Sequence, residues 1–348
     1  MIRLLIAVSI SGAVSLVGTK YLIEWLTRHR IGQPIRADGP GGHMTKAGTP
    51  TMGGAAIVGG AVVAYVLSDF AAGVFTRTGI FVMLAILGAG IVGLLDDGLK
   101  VTRERNLGLN KKAKIIGLLV VAFGFAILMV TFTEVQTEIG FTRVDTLSID
   151  LGPVLWVFWA VLLILGTANA VNLTDGLDGL AAGSATMSYF AFTVIAFWAF
   201  RNESIYQLDH ALDLAVVAVA MLGACVGFLW WNAAPAQIFM GDTGSLAIGT
   251  GLACLALATN TELLLPILGG LFVAETLSVI VQVASFRLFG RRVFRMAPFH
   301  HHFELLGWPE TTVIIRFWLI AGFLTAVGLG IFYADFLEVS GLGGVVTP

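Results

Sequence analysis

Charge is what this chain has least of: Asp, Glu, Lys and Arg make up 12% of its 348 residues, against 57% hydrophobic ones. A soluble domain is typically about a quarter charged, so water is not the main solvent of this chain. Cysteine is nearly missing. The two present, Cys225 and Cys254, sit inside apolar blocks at what should be opposite depths, so they read as packing residues rather than a disulfide. Long polar stretches are lacking too, and nothing between the apolar blocks could fold as a soluble domain. That leaves one integral membrane domain over residues 1–348. Sustained polar–apolar alternation is also absent, which excludes the strands of a membrane barrel. With a formal net charge of −2, no nucleic-acid partner is expected.

What is present is apolar sequence in runs near or above the roughly 20 residues a helix needs to cross a bilayer core. Ten blocks are read: about 4–25, 50–68, 79–95, 115–133, 152–171, 180–200, 212–231, 244–259, 263–286 and 314–334. The expected fold is therefore an all-α polytopic membrane protein, one bundle of about ten transmembrane helices. Arg3 before an apolar run resembles a signal peptide, but the run continues to Trp25 without a small-residue cleavage site, so it is taken as the first span. Assigning alternate loops to opposite sides puts sixteen basic residues on one side and only Arg3, Arg77, Arg143 and Arg201 on the other. Short cytoplasmic loops hold the excess of Lys and Arg, so both termini are expected outside and the loops after spans 1, 3, 5, 7 and 9 in the cytoplasm. The outer loops, such as 131–150 and 201–213, read as solvated connections.

The polar motifs gather in those cytoplasmic loops. Asp96 and Asp97 close the third span, and adjacent carboxylates suit Mg²⁺, which takes hard oxygen ligands and keeps waters and substrate phosphates in its shell. A helix end that simply meets water is the plainer account of the same pair. Asn172 to Leu180 carries Asp175 and Asp178 beside Gly176 and Gly179, a pattern that serves a ligand's close approach or an ordinary turn. In the next loop Asp242 and Thr243 stand at a helix start, where free N–H groups favour anions, or where a cap is needed. His300, His301 and His302 are consecutive, and consecutive side chains cannot all face one metal from a helix, so they suit hydrogen bonding to phosphate, ribose or peptide better than zinc. Taken together, these loops hold what phosphoryl transfer requires: carboxylates for a metal, cations against phosphate charge, and positioned polar groups.

The strings Thr49–Gly54, Asp96-Asp97, Asn172–Leu180, Asn232–Ser245 and Met296–Trp308 resemble those of the bacterial MraY family, in the same order from about residue 40 to 316. The wider superfamily of polyprenyl-phosphate sugar-1-phosphate transferases shares the aspartate motifs. The histidine string Met296-Ala297-Pro298-Phe299-His300-His301-His302-Phe303-Glu304 points to the muramoyl-pentapeptide branch. The resemblance implies transfer of phospho-MurNAc-pentapeptide from UDP-MurNAc-pentapeptide to undecaprenyl phosphate, with Mg²⁺, giving lipid I and UMP. It implies that Asp242 binds Mg²⁺, with Asp96 and Asp97 beside the metal and the lipid phosphate. Asn172, Asp175 and His300 would border the nucleotide-sugar, and Gly176, Leu177, Asp178 and Phe239 the uracil. Lys46, Lys112, Lys114, Asn232 and His301 would complete the polar shell.

A phosphate monoester has a second pKa of about 6, so the lipid phosphate is already largely a dianion at neutral pH and gains little from a general base. Direct attack on the sugar-linked phosphate is the expected mechanism, and a covalent phospho-aspartate is its rival. Glu275, a carboxylate inside the ninth block, is a functional candidate without an assigned role. A GlcNAc-1-phosphate transferase of the same superfamily is the alternative activity. A transporter would need polar groups along a path through the bilayer rather than at one face. A homodimer packed through apolar spans is compatible with the pattern.

Overall fold

In a computed structural model, the protein is described over residues 1–29, 48–70, 75–102 and 109–341. The apolar blocks form helices because lipid offers no partner for a backbone N–H or C=O, so each segment must satisfy its own. In order these are α1 (Ile2–Arg28), α2 (Gly54–Phe70), α3 (Arg77–Thr102), α4 (Lys111–Phe132), α5 (Gly152–Thr174), α6 (Leu180–Arg201), the short α7 (Glu203–Tyr206), α8 (Ala211–Asn232), α9 (Gly241–Ala258), the short α10 (Leu265–Leu268), α11 (Gly270–Phe289), the short α12 (Phe299–Glu304) and α13 (Glu310–Val339). Among the described residues there is no strand, only a single antiparallel bridge between Glu138 and Asp150.

Nine of these helices are long and apolar enough to cross a membrane. The tenth expected span, α2, has 17 residues and so reaches about 26 Å, just short of the hydrocarbon thickness. The chain is a multi-pass membrane protein, as its blocks predict. Two boundaries differ from expectation in ways that matter. The third span does not stop before its aspartates: α3 runs on to Thr102, carrying Asp96, Asp97 and Lys100 as one helical face. The ninth block is broken at Gly269 into α10 and α11, and Glu275, in the second turn of α11, already lies against α12.

Burial sorts the bundle into a centre and a rim. Every described residue of α9 after Gly241 is buried, packed chiefly by α3 and α5, and α8 is nearly as enclosed. The α9 sequence, rich in Gly, Ala, Ser and Thr, lets neighbouring backbones come close, the usual device of helix association in lipid. The rim helices α1, α4, α11 and α13 turn Leu5, Val120, Leu288, Phe289, Leu319 and Phe323 outward, as lipid-facing surfaces do. Both cysteines are free and buried.

At the end of the bundle away from the aspartates, the 133–151 connection is not the solvated loop expected of it. Thr142 and Arg143 bind Asp335 of α13 at 2.8 and 3.1 Å, and Gly140 N donates to the buried Glu262 at 3.1 Å. Asp213 of α8 likewise accepts from Thr76 N at 2.8 Å, Thr76 Oγ1 at 2.6 Å and Tyr65 at 3.2 Å. The sequence shows these only as scattered acidic residues, because each partner lies far away along the chain.

Candidate active site

The expected carboxylates meet at one end of the bundle. Asp96 and Asp97 come from the last turns of α3, Lys114 from the first turn of α4, Asn172 from the last turn of α5 and Asp242 from the first turn of α9. Asn110 helps aim Lys114, because its side chain accepts Ala113 N at 2.7 Å and caps α4. Asp242 owes its position to a second docking. Phe239 N donates to Pro50 O at 2.8 Å, while Gly53 N and Gly54 N donate to Phe239 O and Met240 O at 2.9 Å each. The two glycine-bearing loop motifs thus hold each other, and α9 starts from that joint. Gly93 of α3 completes the seat: a Cβ there would overlap the Asp242 carbonyl, so only glycine allows α3 and α9 so close.

Asp96, Asp97 and Asp242 are buried, and one ligand oxygen from each lies within 4.8 Å of the others. Carboxylate oxygens gathered this closely are the donors a Mg²⁺ ion takes, and Asp242, with Asp96 and Asp97 beside it, would hold one there. All are hard oxygen donors, and the set fits such a metal. Lys100 Nζ sits among them at 2.7 Å from Asp96 Oδ2, 3.4 Å from Asp97 Oδ1 and 2.7 Å from Asp242 Oδ2. Lys114 Nζ reaches Asp242 Oδ2 at 2.9 Å, and Asn172 donates to Asp242 Oδ1 at 2.6 Å and to Ser245 at 2.8 Å. Three carboxylates against two ammonium groups leave the cluster about one charge negative, which a divalent cation would turn positive and so suited to phosphate.

The aspartates divide their work. Asp97 accepts Asp242 N at 3.1 Å, Thr243 N at 2.9 Å and Thr243 Oγ1 at 2.7 Å, satisfying the free amides that open α9. Asp96 accepts Leu109 N at 2.7 Å. Asp175, just past α5, carries a carboxyl pushed up to about 8, first by burial and then by the negative charges of Asp242, Asp97 and Asp178.

The remaining expected residues fall into two groups. Gly176 lies against His300, where a Cβ would meet the Nε2 nitrogen, and His301 Nδ1 pairs with Glu304 at 2.7 Å. The first contact brings the histidine segment to the 172–179 loop, and the second ties His301 within α12 itself. Asp178 accepts Ala236 N at 2.9 Å, and Asn232 bridges Gly179 N at 3.0 Å and Ile238 O at 2.8 Å. Asp178 and Asn232 thus fasten the two loops to each other, while Leu177 packs into an apolar cluster with Phe317 and Val313. The partly buried Phe239 contributes through its backbone, as above. Lys112 is exposed, two residues from Lys114 and so on a different side of α4. Lys46 lies outside the described residues.

Lys100 and Ser245 belong to the constellation without having been singled out, while Thr243, read as a helix-start residue, and Glu275, read as a candidate without a role, now have named partners in Asp97 and the histidine segment. Lys100 had a signal: it follows Asp97 by three residues and Asp96 by four, the spacing that puts side chains on one helical face once α3 is extended past residue 95.

Comparison with known proteins agrees with this arrangement. Residues 79–260 match the glycosyl transferase family 4, and residues 46–58 match the phospho-N-acetylmuramoyl-pentapeptide-transferase signature 1. A phospho-N-acetylmuramoyl-pentapeptide-transferase of Frankia alni is 50% identical, covering 96% of this chain and 98% of the relative. One from Streptomyces avermitilis is 50% identical over 92% and 94%, and one from Rhodococcus opacus 48% identical over 98% and 100%.

Proposed function

The chain belongs to the phospho-N-acetylmuramoyl-pentapeptide-transferase family, and on that premise we propose that it moves phospho-MurNAc-pentapeptide from UDP-MurNAc-pentapeptide to undecaprenyl phosphate, giving lipid I and UMP. The observation that carries this reading is the meeting of Asp96, Asp97 and Asp242 with Lys100 and Lys114 at one end of an otherwise apolar bundle. A reaction between a water-soluble phosphorylated donor and a lipid phosphate needs such a place, where charge is concentrated at the level of lipid headgroups. The enzyme resides in the bacterial cytoplasmic membrane. The basic excess of the connected loops supports a cytoplasmic site and termini outside.

Mg²⁺ is the proposed cofactor, held by Asp242 with Asp96 and Asp97 adjoining, and when bound it would neutralise charge on the diphosphate oxygens. Lys114 and Asn172 fix the Asp242 carboxylate from two sides, so its oxygens present a set direction. Lys100 supplies a cation that can turn from the carboxylates to a phosphate. Asp175, whose carboxyl is raised by burial and by the neighbouring carboxylates, is placed to hydrogen-bond the donor. His300 and Gly176 form the adjoining wall for the nucleotide-sugar, with Leu177, Asp178, Asn232 and Phe239 shaping the loops that line it. His301, Lys46 and Lys112 are proposed for the outer part of the same surface.

The test is transfer from radiolabelled UDP-MurNAc-pentapeptide and from UDP-GlcNAc to undecaprenyl phosphate by purified protein, with Mg²⁺ and with EDTA, beside Asp242→Asn. Metal-dependent lipid I from the first donor, lost in the variant, is the expected result. Product from UDP-GlcNAc alone would move the activity to the sister branch of the superfamily, and no product from either would overturn the assignment.

A further inference from the structure

Glu275 and His300 are both fully buried, and they lie against each other. Glu275 Oε2 accepts Phe299 N at 2.7 Å and His300 N at 3.4 Å, and stands 3.1 Å from His300 Nδ1. The first turn of α12 lacks a cap of its own, because Pro298 before it offers no side-chain acceptor. Its free amides are met instead by a carboxylate from α11. Any small polar side chain would cap a helix. A fully buried glutamate is a costly choice unless its charge has a partner, and the imidazole supplies one.

The far side of the ring carries the consequence. Neither ring nitrogen of His300 makes a hydrogen bond in the structure: Nδ1 lies 3.1 Å from Glu275 Oε2, close enough to bond once the ring turns, and Nε2 faces Gly176, where the missing side chain leaves the room. A buried ring nitrogen without a partner, next to the loop that holds Asn172 and Asp175, is a group waiting for a ligand atom. With its Nδ1 proton turned to the carboxylate, the neutral ring would present Nε2 as an acceptor and the imidazolium would present it as a donor. An anionic phosphate oxygen selects the second state, for which Glu275 is the counter-charge.

We propose that Glu275 is a positioning residue that acts through His300: it anchors the first turn of α12 and turns the imidazole so that Nε2 meets the phosphorylated nucleotide-sugar. This rests on the transfer activity proposed above. It also gives a role to a carboxylate whose place in an apolar block the sequence leaves unexplained.

The experiment combines Glu275→Gln, His300→Ala and the double variant in kinetics, with ¹⁵N-imidazole NMR of the purified protein in lipid nanodiscs. Glutamine keeps an oxygen for the two α12 amides but not the charge beside Nδ1. Glu275→Gln should therefore keep its melting temperature within a few degrees and lose tenfold or more in kcat/KM for the donor. The double variant should be no slower than His300→Ala alone, because the glutamate works only through the ring. The NMR spectrum of wild type should show His300 protonated at Nδ1, a pattern lost in Glu275→Gln. A glutamine effect that persists undiminished without His300 would overturn the proposal, and so would a wild-type His300 that is neutral and protonated at Nε2. That NMR observation needs neither a variant nor turnover. A wild-type protein that transfers no donor would thus refute the activity while leaving the tautomer to decide the Glu275 role.

Discussion

Lys100→Met puts the charge balance of the cluster to the sharpest test. The ammonium group contacts Asp96, Asp97 and Asp242 at 2.7, 3.4 and 2.7 Å, and its side chain retains 24% exposure. Each 2.7 Å contact has a gross attraction of about 6 kcal/mol at an effective dielectric constant of 20, most of it offset by desolvation. Breaking a buried pair by removing one partner costs about 3–5 kcal/mol, and the partial exposure of Lys100 places it near the lower end, about 3 kcal/mol. Methionine keeps the unbranched stem, so the loss is of charge rather than shape. In EDTA the variant should melt several degrees below wild type. Added Mg²⁺ should then raise its melting point more than that of wild type, because no ammonium has to leave the carboxylates first. At a hundred times Kd the ion contributes about 2.7 kcal/mol. Differential scanning fluorimetry across a Mg²⁺ titration reads both effects, and a transfer assay should show activity lost despite restored stability. Equal melting in EDTA, or a Mg²⁺ response no larger than that of wild type, would refute the assignment of Lys100 as the counter-ion of the three carboxylates proposed to hold the metal.

Three further outcomes are expected. Lys114→Ala, which removes one of the two ammonium groups on Asp242 Oδ2, should cut transfer tenfold or more, while Lys112→Ala, on another side of α4, should change it severalfold at most; equal losses would contradict the orientation of α4. Gly93→Ala should cost about 1–3 kcal/mol by overpacking and slow transfer sharply as Asp242 is displaced, read as a melting shift together with kcat. Glu262, pushed up to about 8 by burial, keeps its proton in the fold while the unfolded chain releases it near 4.5, so its contribution to stability is full below pH 4.5 and is lost as pH rises towards 8. Glu262→Gln should flatten that decline, by up to about 1.4 kcal/mol per pH unit, and parallel melting-versus-pH curves for variant and wild type would refute it.

Which of these residues could be read from the chain depends on the range of the signal that marks them. Helix existence was legible because a bilayer demands long apolar runs, and Asp96, Asp97 and Asp242 stood out because carboxylates are costly beside them. Asn172 and Asp175 were legible with their glycines as a ligand loop. The end of α3 was not, since hydropathy falls at Asp96 whether or not the helix continues, and this hid Lys100. Thr243 was visible as a helix-start residue, but its bond to Asp97 joins positions 146 apart in the chain, which no local pattern reports. The docking of Pro50 and Gly53 on Phe239 is equally remote, although both strings carried the family resemblance. The break at Gly269 was missed because α10 and α11 are both apolar, and composition is blind to a change of direction inside an apolar run.

The same contacts bear on the choice between direct transfer and a phospho-aspartate. A carboxylate that attacks phosphorus needs a free lone pair aimed at the donor. Asp97 Oδ2 is taken by Thr243 N and Thr243 Oγ1, and Oδ1 by Asp242 N and, at longer range, Lys100. Using either oxygen as a nucleophile would strip the first turn of α9 of its acceptor and shift Asp242 on the same turn, so the step would disturb the proposed metal ligand on which it depends. Asp96 is held less firmly, by Leu109 N and Lys100, but Lys100 is also the cation nearest to it, and an ion-paired carboxylate is a weaker nucleophile than a dianionic lipid phosphate. The geometry therefore favours the acceptor phosphate as the attacking group, with Asp97 holding the start of α9 and Asp96 holding Lys100. Trapping a phosphosugar on Asp97 during turnover would reverse that conclusion.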